Sequence, residues 1–234
     1  MRDFSQRDWY VLSEVGMKKI ALILAGCGHL DGAEITESVC LLIGLNQAGA
    51  NVFCFAPDLD FSERNHLTRE IEKNSSRNAL KEAARIARGQ VRGLFELHEK
   101  DFDALAFAGG MGVARNLCDW AEKQSQCKIN PEVDRIIREF HSKNKPIGAV
   151  CIAPVLLAKV LGSERIEITL GNDEQTADEV RKTGAIPVPC PVTDYITDRT
   201  QIVVTTPAYM HGNALPHEIF QGISGLAREL VEMA

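Results

Sequence analysis

Five short apolar runs, each leading through a loop to a segment of helical character, constrain this chain most. They lie at 19–25 (KIALILA), 51–56 (NVFCFA), 103–108 (DALAFA), 146–150 (PIGAV) and 201–206 (QIVVTT). A strand wetted on one face alternates polar and apolar residues, whereas a strand covered on both faces reads as a continuous apolar run. Continuous runs joined by helical connections predict an α/β fold: a doubly wound, mostly parallel sheet with helices on both faces, of the flavodoxin-like kind.

The connecting segments fill in the plan. Helices are expected over about 33–48, 77–88, 113–123, 130–143, 176–182 and 218–233, with another beginning at Pro154. Pro131 and Pro154 suit the first helical turn, and Asp31 with Glu34 has the spacing of a capping box for the first helix. Residues 57–75 form a polar excursion. A short strand at 166–170 and the prolines at 187, 189 and 191 predict a small β-rich appendage near 165–200. No linker divides residues 17–234, so they are read as one domain. Residues 1–16 are read as an N-terminal extension, because Met17-Lys18-Lys19 resembles a start of its own.

Composition narrows the function. The chain has 234 residues, is 45% hydrophobic and carries a formal net charge of -6 without a basic cluster, which argues against a nucleic-acid partner. No apolar stretch approaches membrane-spanning length, so no membrane partner is expected. Seven cysteines are scattered through apolar segments without CxxC pairs, which favours neither a disulfide framework nor a metal site. That usage fits a reducing cytosol, and a cytoplasmic protein is expected.

The chemistry is concentrated where the fourth run ends. Cys151 follows Val150 at once, and Pro154 opens a helix three residues later. A thiol at such a corner faces free helix N–H groups that favour thiolate, as in a nucleophile elbow. A free cysteine is equally a small buried hydrophobe. Open α/β sheets bind ligands beyond the carboxyl ends of their strands, where two more features converge. Glu37 stands in the first turns of a helix whose next residues, 38–45, carry no charge, so the helix is expected to be buried nearly all round. A carboxyl aimed inward from there would share one proton with the thiol; aimed outward, it would only favour the helix dipole. Gly109-Gly110 follows the third run and, with the N–H of Ile152, offers backbone amides for an oxyanion, or is an ordinary tight turn. Glu34 is left a capping role. His29, His211 and His217 are candidate bases without a distinguishing pattern, and Cys190 in Pro-Cys-Pro reads as structural or as a secondary thiol.

Ordered along the chain, Gly26-Cys27-Gly28, Asp31-Gly32-Ala33-Glu34-Ile35, Gly109 to Leu117, Cys151-Ile152-Ala153-Pro154, Val188 to Val192 and Thr205 to Met210 resemble the ThiJ/PfpI superfamily. The fold of that superfamily is glutamine amidotransferase-like, and the nearest branch is ElbB, named for enhanced lycopene biosynthesis. The resemblance implies Cys151 as nucleophile, Glu37 as its carboxyl partner and the Gly110 and Ile152 amides at the oxyanion positions. It also implies a cofactor-independent, glutathione-independent glyoxalase that converts glyoxal or a small 2-oxoaldehyde to the hydroxy acid, and a homodimer. Ile152 stands where protease-like members have His, which argues against peptidase activity. The same thiol could instead serve a non-catalytic redox sensor or a stress-related interaction protein, the branch name linking it to isoprenoid biosynthesis. Amide hydrolysis is the weakest reading, since no Cys-His-Glu spacing is visible.

Overall fold

A computed structural model describes residues 16–234. Apart from Gly16, the expected N-terminal extension lies outside the described residues. The first half comprises β1 (Lys18–Ile23), α1 (Ile35–Gln47), β2 (Ala50–Ala56), a hairpin of β3 (Asp60–Arg64) and β4 (Ile71–Asn78), α2 (Ala79–Ile86), β5 (Val91–Gly93) and β6 (Ala104–Phe107). It continues through α3 (Trp120–Lys123), α4 (Pro131–Ser142), β7 (Ile147–Val150) and α5 (Pro154–Leu161). The remainder is β8 (Glu167–Ile168), α6 (Glu174–Arg181), β9 (Ile186–Pro187), β10 (Ile196–Asp198), β11 (Val203–Thr206) and α7 (Pro216–Met233).

The central sheet has the order β10-β11-β7-β6-β1-β2-β5. Every pairing in it is parallel except that of β10 with β11. Side chains alternate across a strand, so β1 feeds two cores. Ile20 and Leu22 join Leu41 and Leu45 of α1 with Ile223 and Leu226 of α7. Ala21 and Ile23 join Ile136 and Phe140 of α4 with Val155 and Leu157 of α5. Helices therefore cover both faces, and the continuous apolar runs are explained by two-sided burial. No helix among the described residues is long and apolar enough to cross a membrane.

Several local expectations change. Residues 60–78 of the polar excursion and its flank form a hairpin none of whose strand residues is buried, so no core face imposes alternation on its sequence. Its anchor is Asp31, only 1% exposed, which accepts from the Arg64 N–H at 2.7 Å and pairs with Arg77 at 3.4 Å. Asp31 thus serves the hairpin and not the helix; Glu34 itself caps α1, accepting from the Glu37 N–H at 2.6 Å. The helix expected over 113–123 breaks into a π-turn (Val113–Leu117) and α3, with Cys118 extended opposite Ile129. Asp119 takes the Lys128 N–H at 2.6 Å, offering the backbone a partner that competes with helix continuation. In the appendage β8 pairs with β9, while β10 joins the main sheet. Finally, α1 is not buried all round: Ile35, Val39 and Ile43, four residues apart, are 49%, 40% and 43% exposed.

Candidate active site

The fourth apolar run delivers Cys151 to the carboxyl edge of the sheet. β7 ends at Val150, Cys151 adopts φ +60°, and α5 begins at Pro154. A non-glycine residue in that region costs about 1–3 kcal/mol, so the neighbours must hold it there. They do: the Cys151 N–H donates to the Thr206 carbonyl at 2.9 Å, extending the β7–β11 pairing by one bond, and Ala153 N–H returns to the Val150 carbonyl at 3.0 Å. The thiol sits at the elbow, 8% exposed.

Glu37 reaches the same point from α1 and is fully buried. Its Oε1 accepts from the Tyr209 N–H at 3.1 Å. Its Oε2 has no well-aligned hydrogen-bond partner; the Gly109 amide and the Cys151 thiol are the polar groups beside it. Gly109 permits this approach. A Cβ there would collide with Glu37 Oε2 and stand 2.5 Å from Cys151 Cβ. Gly110 has φ +98° and presses against the start of α1, where the Gly109 carbonyl accepts from the Glu34 N–H at 3.0 Å. Gly109→Ala is expected to lower stability by about 1–3 kcal/mol through overpacking, read as a lowered urea midpoint.

Burial pushes the Glu37 carboxyl up to about 8, and the charge of Glu34 adds to the rise; the Tyr209 N–H, the Cys151 thiol and the Gly109 N–H pull against it. Burial likewise holds the Cys151 thiol well above its ordinary range, reinforced by the charge of Glu37, while the Gly110 and Ile152 N–H groups act in the opposite direction. The expectation of a thiolate-favouring corner is thus corrected: desolvation outweighs the two turn amides that face the sulfur. Two negative charges side by side in a dry site are strongly disfavoured, so the pair shares its protons. Near neutral pH Glu37 is an acid, with Oε2 free to hold the proton. Of the glycine amides, that of Gly110 faces the sulfur and that of Gly109 faces Glu37.

In front of Cys151 lies a cavity of about 390 Å³. Met111, Ala114, Trp120, Ala121, Ile152 and Met210 supply its apolar surface. Glu34, Gln124, Asp173, Thr176, Tyr209 and His29 supply the polar groups. His29 is the one candidate histidine in the lining, and its ring meets His66 edge-on at 4.9 Å. His211 instead bonds the Cys190 carbonyl at 2.9 Å, and His217 is exposed in the first turn of α7. Cys190 is buried at 2% exposure, away from this lining.

Sequence reasoning did not assign roles to Tyr209, Trp120, Gln124, Asp173 or Thr176. Tyr209 lies within the Thr205–Met210 motif, but its contribution is a backbone N–H that any residue type would carry. Trp120 and Gln124 arrive through the broken 113–123 segment, and Asp173 caps α6 by accepting from Thr176. Their convergence on Cys151 is a product of chain folding alone.

No family model matches the chain. Among curated proteins, the rat (Rattus norvegicus) protein named ES1 protein homolog, mitochondrial, is 40% identical over 225 residues, 92% of this chain and 84% of its own. The human protein named glutamine amidotransferase-like class 1 domain-containing protein 3, mitochondrial, is also 40% identical over 225 residues, covering 92% and 83%. A crystal structure of an isoprenoid biosynthesis protein with amidotransferase-like domain from Ehrlichia chaffeensis superposes with a TM-score of 0.86 at 34% identity, over 92% of this chain and 99% of the other. The mitochondrial names of the rat and human proteins overturn the expectation of a cytoplasmic protein. Free thiols indicate a reducing environment and do not identify the compartment. By its identity to these relatives, and by the elbow, carboxyl and glycine turn that it assembles, the chain belongs to the ThiJ/PfpI superfamily of class I glutamine amidotransferase-like proteins, in the ElbB-like branch.

Proposed function

We propose that this chain is a cofactor-independent glyoxalase acting on a 2-oxoaldehyde. The observation that carries the reading is the fully buried Glu37 carboxyl beside the Cys151 thiol, which lines a cavity. Nucleophilic addition needs a thiol that can pass its proton to a neighbour, and the neighbour must then remove and return a carbon-bound proton. With Glu37 in its carboxylate form, the thiol passes it a proton as sulfur bonds to one aldehyde carbon of glyoxal. Glu37 hands that proton to the former carbonyl oxygen, giving a hemithioacetal steadied by the Gly110 and Ile152 amides and restoring the carboxylate. Glu37 as carboxylate removes the proton on that carbon to give an enediol and returns it to the adjacent carbon. The product is a thioester, which water cleaves to glycolate and free thiol. The net reaction is hydration with internal redox balance, so no external oxidant or reductant is consumed.

Among the described residues no lysine or arginine lines the cavity. The link to isoprenoid biosynthesis borne by the Ehrlichia relative's description therefore does not call for a diphosphate held here. The exposed stripe of Ile35, Val39 and Ile43 supports a homodimer as part of the same proposal. Steady-state kinetics over a panel of dicarbonyls, with intact-mass detection of the Cys151 adduct, test the activity. Hydroxy acid formation with kcat/KM above about 10⁴ M⁻¹s⁻¹ is expected, and values far below that range count against glyoxalase as the chain's task.

A further inference from the structure

The cavity is larger than a two-carbon dialdehyde requires. At about 390 Å³ it has the volume of a pocket for a small organic molecule, roughly a dozen waters' worth of space. Its apolar side is made of adaptable and flat groups: Met111 and Met210 are unbranched thioethers, and Trp120 offers an aromatic face. Such a lining gains free energy only when a ligand brings apolar surface to it, at about 25 cal/mol per Å² removed from water.

The charges are one-sided. Glu34 and Asp173 both line the cavity, and each is fixed by capping its helix, Glu34 through the Glu37 N–H and Asp173 through Thr176. Among the described residues no lysine or arginine lines the cavity opposite them, and burial together with nearby His66 lowers the affinity of His29 for a proton. A carboxylate or phosphate entering here would lose its water and meet like charges, with no lysine or arginine among the described lining residues to pair with. An uncharged carbonyl compound meets none of these penalties, and its oxygen can take the Gly110 and Ile152 amides.

We infer that this cavity selects an uncharged carbonyl compound with an apolar body of the size of a phenyl ring or branched alkyl chain, and excludes anionic carbonyl compounds. For the word substrate this rests on the glyoxalase reading; as a statement about ligand class it stands on the cavity. Selectivity comes from Trp120, Met111 and Met210 on one side and from Glu34 and Asp173 on the other.

Binding and turnover separate the two claims. Acetophenone and benzoate have nearly the same shape and differ in charge, and neither can complete the reaction. Titrated into the full chain by calorimetry, acetophenone should bind at least tenfold tighter than benzoate. Gln124→Arg, which adds a cation to the lining, should narrow that ratio. Ala121→Phe, which fills the space, should weaken acetophenone at least tenfold, and circular dichroism checks that the variant folds. In turnover, phenylglyoxal should exceed glyoxal in kcat/KM by at least tenfold, and Ala121→Phe should reverse the order. Equal or tighter binding of benzoate, or acetophenone binding indifferent to Ala121→Phe, overturns the inference. Preferential acetophenone binding without turnover of any dicarbonyl upholds the ligand class and overturns the glyoxalase reading.

Discussion

Cys151→Ser and Glu37→Gln should each lower kcat for dicarbonyl turnover by about 10²–10⁴, and the double variant should be little worse than the more damaged single. On the proposed mechanism the two side chains act as one unit, since the proton that leaves the thiol and the proton that moves between carbons would both pass through the Glu37 carboxyl. Glutamine keeps the shape of the carboxyl and an oxygen to accept the Tyr209 N–H, but it cannot shuttle a proton. Serine keeps the position of Cys151 and loses the polarisable sulfur. The measurement is hydroxy acid formation at saturating substrate, with acetophenone binding as a check that the cavity is intact. A Glu37→Gln protein that binds acetophenone and turns over at the wild-type rate would place the proton transfer on another group.

The second large effect concerns stability against pH. A fully buried carboxyl with a pKa near 8 differs from the same group in the unfolded chain, where it titrates near 4.5. Between those values the folded state keeps a proton that the unfolded state releases, so the folded state binds more protons and stability falls as pH rises. Below about 4.5 both states are protonated, and the penalty is absent. Above about 8 it is complete, on the order of 4–5 kcal/mol. Glu37→Gln has no such titration. Urea midpoints of the two proteins should therefore agree near pH 4.5 and separate progressively toward pH 8, with the glutamine variant the more stable. Subtracting one curve from the other removes the contribution of groups common to both. Parallel curves across that window would show that Glu37 is not buried as an acid.

On the proposed function these two predictions describe one conflict, between a site that needs a charged group and a fold that buries it. Glu37 is held at 0% exposure with one oxygen lacking a well-aligned hydrogen bond, a condition that lowers stability. The strained φ of Cys151 and the missing Cβ at Gly109 belong to the same set of local concessions around the thiol.

Much of the architecture was legible because burial on two faces writes itself into sequence. β1, β2, β6, β7 and β11 coincide with the five apolar runs, β1 and β2 starting one residue earlier, and α4 and α5 begin at their prolines. The hairpin β3–β4 was not legible, since exposed strands carry no obligatory alternation and its anchor, Asp31, lies some thirty residues upstream. Nor was the break at Cys118, where a single side-chain hydrogen bond from Lys128 N–H to Asp119 competes with helix continuation. The exposed stripe on α1 escaped for a related reason: an all-apolar helix reads as buried whether or not its outer face is covered.

By itself the sequence determined the parallel α/β sheet, the corner that presents Cys151, the helix that bears Glu37 and the glycine turn after the third run. Each of these is written locally, in apolar runs, prolines and glycines that act over a few residues. Only the tertiary structure decided that Tyr209 N–H holds one oxygen of Glu37 while the other has no well-aligned partner, and that burial raises both acids against the pull of the backbone amides beside them. It alone also gathered Trp120, Met111 and Met210 into a cavity with carboxylates and, among the described residues, no lysine or arginine. Desolvation, hydrogen-bond partnership and charge balance depend on which distant segments meet, and no local pattern encodes them.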